Sequence, residues 1–378
     1  MQEGTQATTT LAAGRAGTRT GPRIGQRTIA FSSRPRIAAT AAVGGPMEGD
    51  GPLGRLLDVV YQDSLLGEKS WELAETRMLC EAVELAADKA GLAVGDVDML
   101  VAGDLLNEII ASSFAARHLD IPFLGIFGAC SALTEAIGIA AMAVDGGYAR
   151  RTIAAVCSHH DTAERQYRYP TELAVQRPPT AQWTVTGAGA VVITAGDNDG
   201  DTGGSGEYRG DDDARPRITH ATFGRVVDMG IKNPFDLGSA MAPAAADTIR
   251  RHLADLQVGP DHYDLILTGD LSRVGLPIAM ELLAEDGLDV SGVMDDCGLR
   301  VYHPEQGVGA GASGCASSAL VFAAQVFRDL QEGRIGRLLL VSTGALLSKT
   351  SAHQGENIPG IAHAIAMEAP GAGKERGR

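Results

Sequence analysis

Short apolar runs punctuated by glycine alternate along this chain with Ala-rich stretches whose apolar positions recur at helical spacing. Residues 28–31, 36–43, 97–105, 123–127, 151–158, 184–193, 263–271 and 337–341 read as strands. Several are apolar throughout and are expected to be buried on both faces. Helices are predicted over residues 56–66, 70–90, 109–118, 131–144, 243–256 and 317–330. Ser70 is placed to cap the second of these, with Leu73 on its buried face, and Gly91 ends it. Residues 44–54 are dense in turn formers, residues 164–172 read as a polar, aromatic loop, and residues 307–316 read as a glycine-rich one.

The pattern repeats. Asp98-Met-Leu-Val-Ala-Gly-Asp-Leu105 lines up with Asp264-Leu-Ile-Leu-Thr-Gly-Asp-Leu271, and each follows an Ala-rich helix. Residues 145–156 line up with residues 331–342 in the same way, which sets Cys130 opposite Ala316, beside Cys315. The expected organisation is a disordered basic arm (1–27), a first αβ half (28–196), an acidic, Gly-rich insertion (197–216), a second half (217–368) and a tail (369–378). Two such halves with buried sheets place strand ends and helix starts together near a pseudo-twofold axis, where a pocket is expected.

Composition narrows the function. The chain has 378 residues with 47 acidic against 32 basic, a net charge of −15, which argues against nucleic acid as a partner. No apolar run is long enough to span a bilayer, and the first residues lack the order of a signal peptide. Cys80, Cys130, Cys157, Cys297 and Cys315 have no metal-finger spacing, and an odd count argues against a disulfide framework. Cys80, Cys157 and Cys297 are expected to be small buried hydrophobes. Asp211-Asp-Asp213 lacks the spacing of a calcium loop and reads as a solvated tract.

Cys130 stands out. It sits between the apolar run at 123–127 and a helix, where free N–H groups and the helix dipole favour a thiolate or an anion. His159 follows the strand at 151–158 and is placed to donate to a carboxylate. Arg165 and Arg168 flank Tyr167, offering bidentate carboxylate pairing and a ring to stack on.

A duplicated αβ chain with a cysteine at the first half's helix start resembles the thiolase and ketoacyl-synthase superfamily. Seven strings narrow the resemblance: Asp50-Gly-Pro-Leu-Gly54, residues 102–107, Phe127-Gly-Ala-Cys-Ser131, residues 162–166, residues 233–247, Leu267-Thr-Gly-Asp-Leu-Ser272 and Ser342-Thr-Gly-Ala-Leu-Leu-Ser348. Over residues 28–368 they look like the stage V sporulation protein AD family. The resemblance implies a thiolase-like α-β-α-β-α architecture with mixed, mainly buried sheets. It also implies binding of dipicolinic acid (pyridine-2,6-dicarboxylate) or its calcium chelate, and support of its uptake into the developing spore. The implied setting is peripheral at the spore inner membrane, beside the membrane proteins of the stage V sporulation A operon, as a homodimer. No cofactor is implied beyond calcium within the chelate.

The superfamily's enzymes activate their cysteine with a second-half histidine and a later histidine or asparagine. Here Asp270 stands nearest the first slot and Ser313 or Gly314 occupies the second. A carboxylate beside a cysteine raises the thiol's pKa, so Cys130 reads as a relic nucleophile in a ligand-binding pocket formed with His159, Arg165, Tyr167, Arg168, Asp270 and Ser313. Asp270 could otherwise serve the calcium of a chelate, or merely cap a strand-end turn as its twin Asp104 would. The alternatives are a condensing enzyme or thioesterase using Cys130 on acyl-CoA, and a scaffold of a spore membrane complex.

Overall fold

A computed structural model describes residues 22–167, 177–195 and 214–371. The first half supplies strands β1 (Arg36–Gly44), β2 (Met99–Gly103), β3 (Phe123–Gly125), β4 (Arg151–Ser158) and β5 (Gly187–Thr194), and the second half β6 (Arg217–Phe223), β7 (Leu265–Thr268), β8 (Met294–Asp296), β9 (Arg337–Ala345) and β10 (Gly360–Glu368). The main helices are α1 (Trp71–Lys89), α2 (Ile110–Leu119), α3 (Ala132–Asp145), α4 (His160–Tyr167), α5 (Leu237–Leu256), α6 (Ser272–Glu285) and α7 (Cys315–Val321).

The duplication is visible in the sheet. The strand order is β1-β5-β4-β2-β3 in the first half and β6-β10-β9-β7-β8 in the second. In both, the two inner pairings are antiparallel and the two outer ones parallel. The halves meet where Arg36 of β1 pairs with Arg217 of β6.

Period-two alternation explains the layers. Leu338 and Leu340 of β9 join α3, α7 and the inward residues Ala154 and Val156 in a central core. Their neighbours Leu339 and Val341 face the other way, onto α5 and α6. Ile153 and Ala155 of β4 pack against α1 and α2. The result is helix, sheet, helix, sheet, helix, the thiolase-like architecture read from sequence. All nine residues of β1 are buried, and its alanines and Gly44 let helices approach closely.

The N-terminal edge is tied to the second half. Arg23–Ile24 pairs with Thr28 and Ile29, and Thr28–Ala30 pairs with residues 220–222 of β6. The Asp255 carboxylate of α5 accepts the N–H groups of Gln26 (3.0 Å), Arg27 (2.9 Å) and Thr28 (3.1 Å), and the Thr28 hydroxyl (3.0 Å).

Several expectations are corrected. Residues 22–27, drawn inside the arm, are ordered by the pairing of Arg23–Ile24 with Thr28–Ile29 and by Asp255, which holds Gln26 and Arg27; residues 1–21 lie outside the described residues. Arg215, drawn inside the insertion, is buried, and Ala369, drawn inside the tail, donates its N–H to Gly336 O at 2.8 Å. Residues 196–213, including Asp211–Asp213, and 372–378 lie outside the description. Residues 56–66 are not a helix: Val59–Val60 pairs with Val43 and Gly44, and the Asp63 carboxylate caps the N–H groups of Leu65 and Leu66. Ser70 does cap α1, accepting from Leu73 N, but Leu73 is 39% exposed. Helix α4 replaces the loop expected to begin at residue 164. Strand β3 is short and at the sheet edge, with Leu124 and Phe127 exposed. Helix α5 begins before Pro243, capped by Asp236, whose carboxylate accepts from Ser239 N. The three cysteines expected to be buried are so, and all five are free.

Candidate functional site

Cys130 closes a tight turn between β3 and α3. Ala129 just before it has φ of 49°, left-handed backbone that a small side chain tolerates with little clash. The turn is backed by the second half: a Cβ on Gly344 of β9 would lie 2.4 Å from Gly128 O and 3.3 Å from Cys130 N. Only a glycine lets those two backbones touch. The twin turn ahead of α7 carries Gly314 at φ 98°, whose Cβ would meet Ser158 Oγ at 2.8 Å. Cys315 Sγ donates to Ala129 O at 3.2 Å, so the two helix starts are in direct contact.

Asp270 enters this junction. It is 1% exposed, and its carboxyl accepts from Thr343 Oγ1 at 2.7 Å and Gly314 N at 3.1 Å. Ser313 Oγ lies 4.0 Å from Cys130 Sγ, and the Asp270 carboxyl is near enough for its charge to act on the Cys130 thiol. Burial pushes Asp270 up to about 7, and the charge of Asp296 adds to this, while the bonds from Thr343, Cys130 and Gly314 pull the other way. Burial, then the charge of Asp270, raises the Cys130 thiol well above its ordinary value. The thiolate expected of a helix-start cysteine is therefore disfavoured: desolvation and a neighbouring carboxyl outweigh the dipole.

The Gly-Asp-Leu twins are used differently. Asp104 caps its own loop, accepting from Leu106 N (2.8 Å), Ser112 N (2.8 Å) and Ser112 Oγ (2.6 Å). In the second half that work falls to Asp296, which accepts from Thr268 Oγ1, Leu271 N, Ser272 N and Gly298 N. Asp270 is thereby released from capping and turns toward Cys130. Gln182 stitches the junction, its side-chain amide donating to Asp270 O, Ser272 Oγ (2.9 Å) and Ala312 O (3.2 Å).

The other sequence candidates divide. Tyr167 belongs to the surroundings of the junction: it packs against the central core, donates to Leu105 O, and its phenol is raised by burial and then by Cys130. His159 is corrected. It is fully buried, with one ring nitrogen on Ser64 O at 2.7 Å and the other accepting Asp161 N at 3.1 Å. Burial lowers its pKa, so the imidazole is a neutral, internally satisfied strut with no donor left for a ligand. Arg165 is corrected too: it pairs with Glu72 on α1 and lies 5.4 Å over the Trp71 ring, half exposed. Arg168 lies outside the described residues. Thr343 lies in the string Ser342–Ser348 and Gly314 in the glycine-rich loop 307–316, neither marked as a ligand group by its sequence; Gln182 has no sequence signal at all. Among the described residues no three His, Cys, Asp or Glu side chains group to hold a metal, and no helix is long and apolar enough to cross a membrane.

Residues 25–368 match the family model of stage V sporulation protein AD. The stage V sporulation protein AD of Bacillus subtilis (strain 168) is 49% identical over 347 residues, covering 92% of this chain and 98% of that protein. Among solved structures, an OleA variant from Xanthomonas campestris superposes with a TM-score of 0.57 at 15% identity, covering 93% of this chain and 99% of that one. The 3-oxoacyl-[acyl-carrier-protein] synthase III of Aquifex aeolicus does so with a TM-score of 0.51 at 14% identity, covering 88% and 99%. At these identities the solved structures speak for the fold alone.

Proposed function

This chain belongs to the stage V sporulation protein AD family, a family of sporulation proteins, and on that premise we propose that it binds dipicolinic acid, free or as its calcium chelate, without turning it over. One observation carries the non-catalytic part: among the described residues, the groups that act on the buried Cys130 thiol are the Asp270 carboxyl, which raises it, and Gly314 and Ser313, which lower it less. Acyl transfer through cysteine needs a thiolate, a base and an oxyanion hole, and losing one oxyanion donor alone costs about 10²–10³ in rate. A raised thiol lacks the first two. The binding part is supported by family membership and by polar groups converging from both halves, with the start of α3 from the first and Ser313 and Asp270 from the second. The acyl-CoA alternative is favoured by the retention of Cys130 at a helix start.

Isothermal titration with dipicolinate, with and without calcium, tests the reading. Saturable heat that disappears in Cys130→Ala is expected, together with no labelling of Cys130 by an acyl-CoA. Stoichiometric acylation of Cys130 without dipicolinate heat would reverse the assignment.

The same reading places the protein beside spore membrane partners and as a homodimer. The open edge of β3, with Leu124 42% and Phe127 51% exposed, is the surface a second copy would cover. Sedimentation of the full chain should give twice the monomer mass; a monomer at tens of micromolar, roughly the range of weak protein pairs, would remove the dimer.

A further inference from the structure

We propose that residues 177–184 form a clasp over the Cys130 junction, anchored on the first half and latched to the second, and that its release is the way into the junction. The release itself needs no ligand; that a ligand uses it rests on the binding role proposed above.

The junction is closed. Cys130 is 7% exposed and Asp270 1%, and most of what surrounds them is fixed. Helices α3 and α7 start in the central core, β9 is an inner strand, and Asp296 holds the turn at Leu271 and Ser272. Residues 177–184 differ. Their two strand residues, Trp183 and Thr184, pair with Ala312 and Ser313 and join neither half's main sheet.

The anchor is on α4. Arg177 pairs with Glu164 at 3.0 Å, and the Trp183 ring stacks on His160 with centroids 3.7 Å apart. The latch is made of small parts. Trp183 N donates to Gly311 O (2.8 Å), Val185 N to Ser313 O (2.9 Å) and Ala310 N to Ala181 O (2.8 Å). The Thr180 hydroxyl donates to Phe235 O at 2.9 Å, and the Gln182 amide makes its donations to Asp270 O, Ser272 Oγ and Ala312 O. Every one of these partners belongs to the second half. Release strips Gln182 from Asp270 and Thr184 from Ser313 and Gly314, the groups that wall Cys130.

The latch holds by a small margin. Gln182 Oε1 is buried without a hydrogen-bond partner, a cost that contact with water in the released form removes. The loop that receives the clasp carries Gly309, Gly311 and Gly314 at φ of 66°, 137° and 98°, so its backbone has more than one path open to it. A segment with few bonds and no layer of its own opens far more often than the core does.

The test is labelling of individual cysteines in the full chain with iodoacetamide, read peptide by peptide. Cys80 is the control: it is 8% exposed and lies on α1. Gln182→Ala removes the amide's donations. Gly309→Ala sets a methyl 2.2 Å from Ala181 O, on an exposed turn, and pushes the clasp outward. Each should label Cys130 about tenfold faster than wild type, the effect of losing roughly one hydrogen bond's net worth, with Cys80 unchanged. Acceleration in either variant alone supports the clasp. An unchanged Cys130 rate in both, or a rate that rises together with that of Cys80 in both, overturns it and leaves the binding role standing. Hydrogen exchange of wild type is the second measurement. The amides of Trp183, Val185 and Ala310 should exchange at least about tenfold faster than those of β5, and equal protection overturns the clasp whatever the variants do. Dipicolinate should slow labelling of Cys130 in wild type; a clasp that opens without protection by dipicolinate stands, and the binding role falls.

Discussion

Replacing Asp270 by asparagine will stabilise the protein in mild alkali, by as much as about 4 kcal/mol, and will do almost nothing in acid. An aspartate ordinarily ionises near 3.8, whereas burial moves this one to about 7. In the unfolded chain the group is charged above 3.8; in the fold it resists charging until about 7. The fold therefore carries no penalty below 3.8, a growing one between the two values, and the full one above 7. Roughly three pH units at about 1.4 kcal/mol each set the upper bound. An amide has no charge to bury, and in this pocket it can accept from Gly314 N and donate to Thr343 Oγ1. Urea unfolding of wild type and variant at about pH 4 and pH 8 reads the difference, which must widen with pH. A gap of the same size at both ends would mean that the carboxyl is not held protonated. The protein then tolerates a destabilising acid at the junction of its halves, as groups kept for a site's chemistry often are.

Gly344→Ala should be the more damaging change to the site. The added methyl would meet three backbone atoms at once, Gly128 O at 2.4 Å, Ser131 N at 3.1 Å and Cys130 N at 3.3 Å, and none of them can rotate aside as a side chain would. Either β9 shifts, breaking its register with β10, or the Cys130 turn is pushed away from Asp270. Overpacking of this kind typically costs about 1–3 kcal/mol or more. The expected result is a lower urea midpoint together with loss of dipicolinate binding even under conditions where the variant is fully folded. A folded variant with wild-type affinity would show that contact between β9 and the turn does not position the site.

The sequence made the architecture readable where both faces of a strand are buried. The runs in β1, β4 and β9 are apolar without alternation, which only an internal strand requires. The repeat was readable for the same reason, because matching strands face matching layers. At the edges the signal inverted: Phe123 to Phe127 is as apolar as a core strand, yet it sits at the sheet's margin with two large side chains in solvent. Helix α6, which the sequence analysis does not predict, carries Gly275 and Pro277 inside it, and Gly275 is the contact point with Gly238 of α5. The site was half legible. Cys130, Asp270 and Ser313 stand at strand ends and helix starts, which the fold brings together by symmetry. His159 stands at such a position too, but its partner Ser64 is 95 residues away and local spacing gives no sign of it. Asp104 and Asp270 share one local string, and only Asp296, 25 residues beyond Leu271, decides that the second is free of capping.

The strap at residues 22–30 also bears on how the chain is made. Asp255 holds Gln26 from 229 residues further along, and the partners of Thr28–Ala30 lie in β6. During synthesis at about 5–20 residues per second, the start of the chain waits roughly 10–45 s for the carboxylate that will hold it. The first half leaves the ribosome with its seam strand β1 lacking β6, and with the strap lacking the partners that will hold it. Residues 22–30 are therefore captured only after β6 and Asp255 have been made, so the strap reports the docking of the second half onto the first.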